Sequence, residues 1–234
     1  MYKTKIRNFS RFKKFTRVYK HNNHGTMKNI CEIRIIKQQN HDGLLKKLKK
    51  YIEGFIVLEN DEWLEFSKYI YQTTLNKKEL FIKPADEHKK LGFIINGLLR
   101  SYFISEKGIE HTVNFYTDNN FIVCGKLSSS IHEKYYVEVV EDAKILAINE
   151  QDFCRLMEKN KNWKIFITGI IDDQYSQSIT RIENLLALSA EQRYQCFNND
   201  FNHIIHKIPQ YQIASYLGVT PVALSRIIKR LKKI

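Results

Sequence analysis

Acidic residues are missing from the first 26 positions of this 234-residue chain, although eight basic ones stand there. Cysteine and proline are also scarce, at four and three residues. Cys31, Cys124, Cys154 and Cys196 stand singly at gaps of 93, 30 and 42 residues, which suits neither a disulfide framework nor a metal or iron–sulfur spacing. Free thiols in a reducing compartment are the expectation. No stretch approaches eighteen consecutive apolar residues, which argues against a transmembrane helix, and the start lacks the apolar centre and small-residue cleavage site of a secretory signal. A soluble, cytoplasmic protein with no membrane partner is expected. Catalytic signatures are absent as well: no nucleophile beside a base, no glycine-rich phosphate loop and no metal-ligand spacing. An enzyme and a metal site are therefore not expected and no cofactor is identified; His88, His111 and His132 are read as structural, with heme ligation as the alternative, and His203 and His206 as surface residues.

What is present is a 43% hydrophobic chain, enough to bury real cores, with a lopsided charge. Residues 1–50 hold fifteen Lys or Arg and two acids, Glu32 and Asp42, whereas residues 51–234 hold 23 of each sign. The whole net charge of +13 lies in the first fifth. A phosphate-gripping arm is one reading of residues 1–26; a solvated tail or a true start at Met27 are the others, and these two are preferred.

From Leu44 to Phe55 the apolar positions recur at helical spacing, and Asn60 is a candidate N-cap for a second helix reaching about Tyr71. From Leu80 the texture turns to short β-rich runs: "LFIKP", "LGFIINGLLRSYFI", "IEHTVNFY", "FIVCG", "KYYVEVV" and "AKILAI". Asn96-Gly97 predicts a type I′ hairpin, Glu106-Lys107-Gly108 a second hairpin and Asp118-Asn119-Asn120 a bend. About six strands predict an antiparallel roll or barrel. Glu110, Glu138, Glu141 and Asp142 are taken as charges on exposed strand faces or turns. A short helix over Gln151 to Glu158 precedes a long one over Trp163 to Leu188. In the latter, Ile171, Tyr175, Ser178, Ile182 and Leu185 follow a heptad spacing, which predicts a dimer seam, with packing on the chain's own roll as the alternative. Ser189 and Gln192 fit a capping box for a further helix to about Asn199.

The segment "IASYLGVTPVALSRIIKRL" (213–231) carries the strongest functional signal. Gly218 offers a left-handed turn after a helix beginning at Gln210, and Thr220-Pro221 offers an N-cap and first helical residue for a second. Ile213, Ala214, Leu217, Val219, Leu224 and Ile227 are expected to face inward. This predicts a helix-turn-helix. Thr220, Val222, Ser225 and Arg226 become candidate base readers, Arg226 for a guanine and Val222 for a thymine methyl. Gln210, Tyr211, Lys229, Arg230, Lys232 and Lys233 become candidate phosphate contacts.

Together with this order of elements, "GFIINGLLRSYFISEKGIEHTVNFY", "LLALSAEQRYQCF" and "IPQYQIASYLGVTPVALSRIIKRL" resemble the cyclic-AMP receptor protein/fumarate–nitrate regulator (Crp/Fnr) superfamily of bacterial transcription factors over roughly Leu44 to Ile234. The resemblance implies an α+β chain. Residues 1–43 would be a basic extension, 44–158 a β-roll sensor (a cyclic-nucleotide-binding-like jelly roll), 159–188 a dimerisation helix and 189–234 a helix-turn-helix without an evident wing. It implies a homodimer reading a two-fold double-stranded DNA operator, with RNA polymerase as a further partner. The family's nucleotide cassette has a Gly-Glu-Leu and a nearby arginine. Here the local match is Gly125-Lys126-Leu127, followed by Ser128, Ser129 and Ser130, and no arginine occurs between Arg100 and Arg155. Gly125, Lys126, Ser128, Ser129 and Lys134 are the candidate effector pocket. A lysine there lacks the planar fork of arginine, so cyclic AMP held by the family's usual contacts is not expected. The single cysteine before residue 124 argues against the iron–sulfur branch. A β-roll module that binds a ligand and docks on a protein partner is the alternative to DNA reading.

Overall fold

A computed structural model describes residues 42–84, 86, 89–123 and 134–232 of the chain. Residues Leu44–Ile234 form one compact unit. Residues 42–52 form helix α1, whose apolar spacing turns Leu48 and Ile52 into the core. Helix α2, Asn60–Ser67, starts one residue earlier than expected: Glu59 is the N-cap, and its amide donates to Glu62 Oε2 at 3.0 Å. It also ends earlier. Tyr71, the expected helix end, instead opens strand β1, Tyr71–Leu75, which pairs antiparallel with the last strand.

The remaining strands are β2 (Leu80–Ile82), β3 (Lys90–Ile104), β4 (Glu110–Tyr116), β5 (Phe121–Ile122) and β6 (Tyr135–Asn149). They make one antiparallel sheet in the order β1-β6-β3-β4, with β2 on β6 and β5 on β3. The expected antiparallel roll is observed, with one local correction. Asn96-Gly97 is not a hairpin turn; β3 runs straight through it. The pairing with β6 slips there, from Ile94↔Ile145 to Asn96↔Lys144 to Leu98↔Glu141, so the dipeptide is a bulge. Gly97 has φ +123°, and a Cβ on it would lie 2.6 Å from Ala143 Cα, so glycine is needed for the close approach of β6. The runs "KYYVEVV" and "AKILAI", expected as separate strands, lie in one continuous strand, β6, from Tyr135 onward. The other two turns form as expected: the Ser105 amide donates to Ile109 O at 2.9 Å around Gly108, and the Asn120 amide to Thr117 O at 3.0 Å.

Helices α3 (Glu150–Lys159) and α4 (Lys161–Ala187) follow, then α5 (Ala190–Phe201). The capping box of α5 is present: Gln192 N donates to Ser189 Oγ at 3.3 Å and Ser189 N to Gln192 Oε1 at 2.9 Å. A short 3-10 turn, Ile205–Lys207, leads to α6 (Gln210–Leu217) and α7 (Pro221–Leu231).

Three apolar clusters hold the unit together. One joins α1 to α4 with the sheet through Phe66, Phe93, Trp163 and Phe166, the Phe66 and Trp163 rings stacking at 4.6 Å. A second fills the roll with Phe81, Ile94, Ile122, Val139 and Ile145. The third joins Leu98, Phe115 and Val140 of the sheet to Phe197, Ile213, Ala214, Leu217 and Leu224 of the last helices.

Candidate nucleic-acid interface

The α6–α7 unit is specified locally. Gly218 takes φ 67°, ψ 36°, and its amide caps the end of α6 on Ala214 O and Ser215 O. A side chain there would be strained by the left-handed backbone and would meet Leu185 Cδ2 at 3.2 Å. Val219 N then donates to Ala214 O at 3.0 Å. Thr220 caps α7, its Oγ1 accepting from Ala223 N at 3.2 Å, and Pro221 occupies the first helical position. Ile213, Ala214, Leu217, Leu224 and Ile227 are buried and Val219 is half-buried. Ala214 is fully enclosed, as the crossing of two helices requires a small side chain.

The opposite face of α7 is open. Thr220 and Arg226 are exposed, Val222 is 61% exposed and Ser225 is half-buried. Lys229 and Lys232 continue the exposed basic edge. Arg230 is exposed too but pairs with Glu191 of α5 at 2.5 Å. Gln210 is exposed at the start of α6, and Tyr211, half exposed, lies with its ring 5.9 Å from the Arg100 guanidinium. Lys233 lies outside the described residues. Arg226 thus lies exposed at the middle of the helix face with no ion-pair partner among the described residues, flanked by an apolar Val222 and further cations.

Sequence reasoning missed how this unit meets the sheet. Arg100, on β3, is only 1% exposed. It donates to Glu138 at 3.0 and 2.7 Å and also to Glu110. Those two acids, expected as solvated strand charges, are partners of a buried guanidinium. Burial pulls the Arg100 pKa down, but hydrogen bonds to Glu110 and Glu138 outweigh it and leave it above the usual arginine value. Burial, with both carboxylates adding to it, pushes the neighbouring Tyr102 phenol up to about 12. A buried arginine between two β-strand acids, Glu110 and Glu138, has no local sequence signature.

The five expected seam residues all lie on helix α4. Ile171 is half-buried against the core, whereas Tyr175, Ser178 and Ile182 are exposed. Leu185 is 36% exposed and lies against the Gly218 turn of its own chain. Leu186, not among the expected seam residues, is 83% exposed.

Of the candidate effector pocket, Gly125, Lys126, Ser128 and Ser129 lie outside the described residues, as do His88 and His132; Lys134 is exposed at the start of β6. His111 is exposed and stacks on Phe103 at 5.1 Å. His203 and His206 line an open polar cleft of about 970 Å³ with Lys77, Glu141 and Lys207. Among the described residues no cluster of three or more His, Cys, Asp or Glu is placed to hold a metal, and no helix is long and apolar enough to cross a membrane.

Comparison with known proteins fits this geometry. Residues 72–160 match the family model of the cyclic nucleotide-binding domain. The chain is 23% identical over 170 residues to the fumarate and nitrate reduction regulatory protein of Yersinia pestis, a match covering 68% of each chain. In fold it is similar to a protein from Eubacterium rectale assigned to the Crp/Fnr family of transcriptional regulators, with a TM-score of 0.65 at 18% identity over 75% of this chain and 84% of that one. FixK2 of Bradyrhizobium japonicum gives 0.63 at 13% identity over 70% and 85%. CLP of Xanthomonas campestris, a global regulator responsive to c-di-GMP, gives 0.60 at 12% identity over 75% and 92%.

Proposed function

We propose that the chain, whose residues 72–160 match the cyclic nucleotide-binding domain model, is a Crp/Fnr-type regulator: a homodimeric, sequence-specific DNA-binding regulator of transcription acting in the cytoplasm. The observation that carries this reading is the two-sided character of α7. Its inner face is sealed by Leu224 and Ile227, and Thr220, Val222 and Arg226 are exposed on its outer face. In the helix-turn-helix so formed, α7 enters the major groove, Arg226 pairs with the two acceptors of a guanine and Val222 presses on a thymine methyl. Lys229 and Lys232 hold phosphates, and Gln210 and Tyr211 approach the backbone from the start of α6.

The seam from Ile171 to Leu185 pairs two copies, so two recognition helices meet half-sites about 34 Å apart. RNA polymerase is the partner expected at a bound promoter. The effector is not cyclic AMP held by the family's usual contacts, because Lys126 replaces the acid that would grip the ribose and no arginine follows it before Arg155.

Selection of bound duplexes from a random pool by the purified protein, beside Arg226→Ala, tests the reading at near-physiological salt. The wild type is expected to recover a two-fold motif, and the variant a motif degraded at one position per half-site, worth about 1–3 kcal/mol of discrimination. Recovery of unrelated sequences by both, with uniform affinity, would refute base reading and favour a module that docks on protein.

A further inference from the structure

Strand β4 is the last in the order β1-β6-β3-β4, and an edge strand presents backbone groups that need partners from outside the sheet. On β4 these partners come from the helical half of the chain. Thr112 N donates to Ser215 Oγ at 2.9 Å, and that hydroxyl donates onward to Glu110 O at 3.2 Å. Arg181, on α4, donates through Nη2 to Thr112 O at 3.2 Å and to Tyr216 O at 2.8 Å. Its guanidinium also lies 4.5 Å from the Tyr216 ring.

One side chain of the long helix therefore bonds both the sheet and α6. The guanidinium has no carboxylate partner among the described residues; carbonyls and a ring are what hold it. Burial lowers its pKa, and Nε is buried without a hydrogen-bond partner. A desolvated cation in such a place is costly. Arg193 reinforces the arrangement by donating to Leu217 O at 3.0 Å and Leu188 O at 2.7 Å. Beneath these bonds Phe115 of β4 is enclosed by Phe197, Phe201 and Tyr216, with ring centroids 5.6 to 5.9 Å away.

We propose that Arg181, assisted by Ser215, is a positioning residue that fixes the helix-turn-helix on the open edge of β4 and so sets the spacing at which a dimer presents its two recognition helices. This rests on the DNA-reading dimer proposed above. Because Arg181 belongs to the helix that carries the dimer seam, its bonds tie each DNA-binding head to the element nearest the two-fold axis. The reading face of α7 stays open in the docked position, so docking preorganises the head rather than hiding it, and the ordering cost is met before DNA arrives.

The test compares wild type, Arg181→Met, which keeps the aliphatic stem without donors, and Arg181→Lys. Affinities are measured for the selected two-fold site, for one isolated half-site, and for two-fold sites whose spacer is one or two base pairs longer or shorter. Hydrogen exchange of the α6 amides is followed on each free protein. Arg181→Met is expected to weaken the two-fold site about ten-fold, leave the half-site within about two-fold, flatten the spacer preference and speed α6 exchange. Arg181→Lys is expected to fall between. Equal losses on half-site and two-fold site with an unchanged spacer preference would overturn the proposal, as would unchanged α6 exchange. Should Arg181→Met not fold, Ser215→Ala removes a single hydroxyl and is read the same way, with about a three-fold loss expected on the two-fold site alone. If the wild type selects no two-fold site, the functional reading fails, while α6 exchange still decides whether Arg181 holds the head.

Discussion

The long helix α4 carries apolar residues at helical spacing in both its halves, yet the two halves end in opposite surroundings. In the first half Trp163, Phe166, Ile167 and Ile170 are buried under α1, α2, α3 and the sheet. In the second half Tyr175 is 65% exposed, Ile182 50% and Leu186 83%. The change falls where the roll ends: Gln174 Nε2 still reaches Phe121 O at 2.9 Å, and beyond it Arg181 is the polar link from the helix to the sheet edge. One periodic pattern thus serves two purposes. The first half supplies the stability of a single chain, since each large apolar side chain buried contributes about 1.5–3 kcal/mol. The second half leaves apolar residues exposed, on the stretch proposed above as the dimer seam.

Breaking the first half has the largest expected effect. Phe166→Ala removes a ring in contact with Tyr51, Phe55, Phe121 and Trp163 and is expected to lower unfolding free energy by about 3–5 kcal/mol in urea titrations. At protein concentrations where the variant remains folded, self-association is expected to be unchanged. Ile182→Glu reverses that signature. It is expected to weaken the dimer about 100-fold by sedimentation, or about 2.7 kcal/mol, while the unfolding free energy of the separated chain moves by less than about 0.5 kcal/mol. If Ile182→Glu instead lowered chain stability with no change in association, the two halves of α4 would share one role and the contrast would be lost.

The same contrast explains what could be read from sequence. Local signals survived: the Gly218 turn, the Thr220 cap and the Ser189–Gln192 capping box depend on residues no more than five apart, and all are present. The apolar rhythm of α4 was legible, but a rhythm does not say what covers it. Strand β1 was missed because "YQTTL" carries few apolar side chains and follows a helix directly. Asn96-Gly97 was misread because a bulge and a hairpin both need glycine, and only the position of Ala143 on β6 distinguishes them. The docking of α6 on β4 was beyond reach, since Thr112 and Ser215 are 103 residues apart, and a serine hydroxyl bonded to a strand edge leaves no pattern in either segment.

Ser178 gives the smallest and sharpest test. It interrupts the apolar seam, but its hydroxyl donates to Gln174 O at 2.8 Å, so the polar group is satisfied within its own helix. Such a serine can enter a dry interface without an unpaired hydroxyl, while contributing little to it. Ser178→Leu adds apolar surface at a heptad position. If a second copy packs there, the added burial is worth about 1–1.5 kcal/mol, and the dimer is expected to tighten about ten-fold by sedimentation. If the position faces solvent in the working protein, the change brings only the better helix propensity of leucine, about 0.3–0.5 kcal/mol in chain stability, with association unmoved. A weaker dimer would point to a seam already packed to density around the serine, where extra methylenes force the two helices apart. Tightening, no change and weakening therefore separate a loosely packed seam, a solvent face and a filled interface by the sign of one measured quantity.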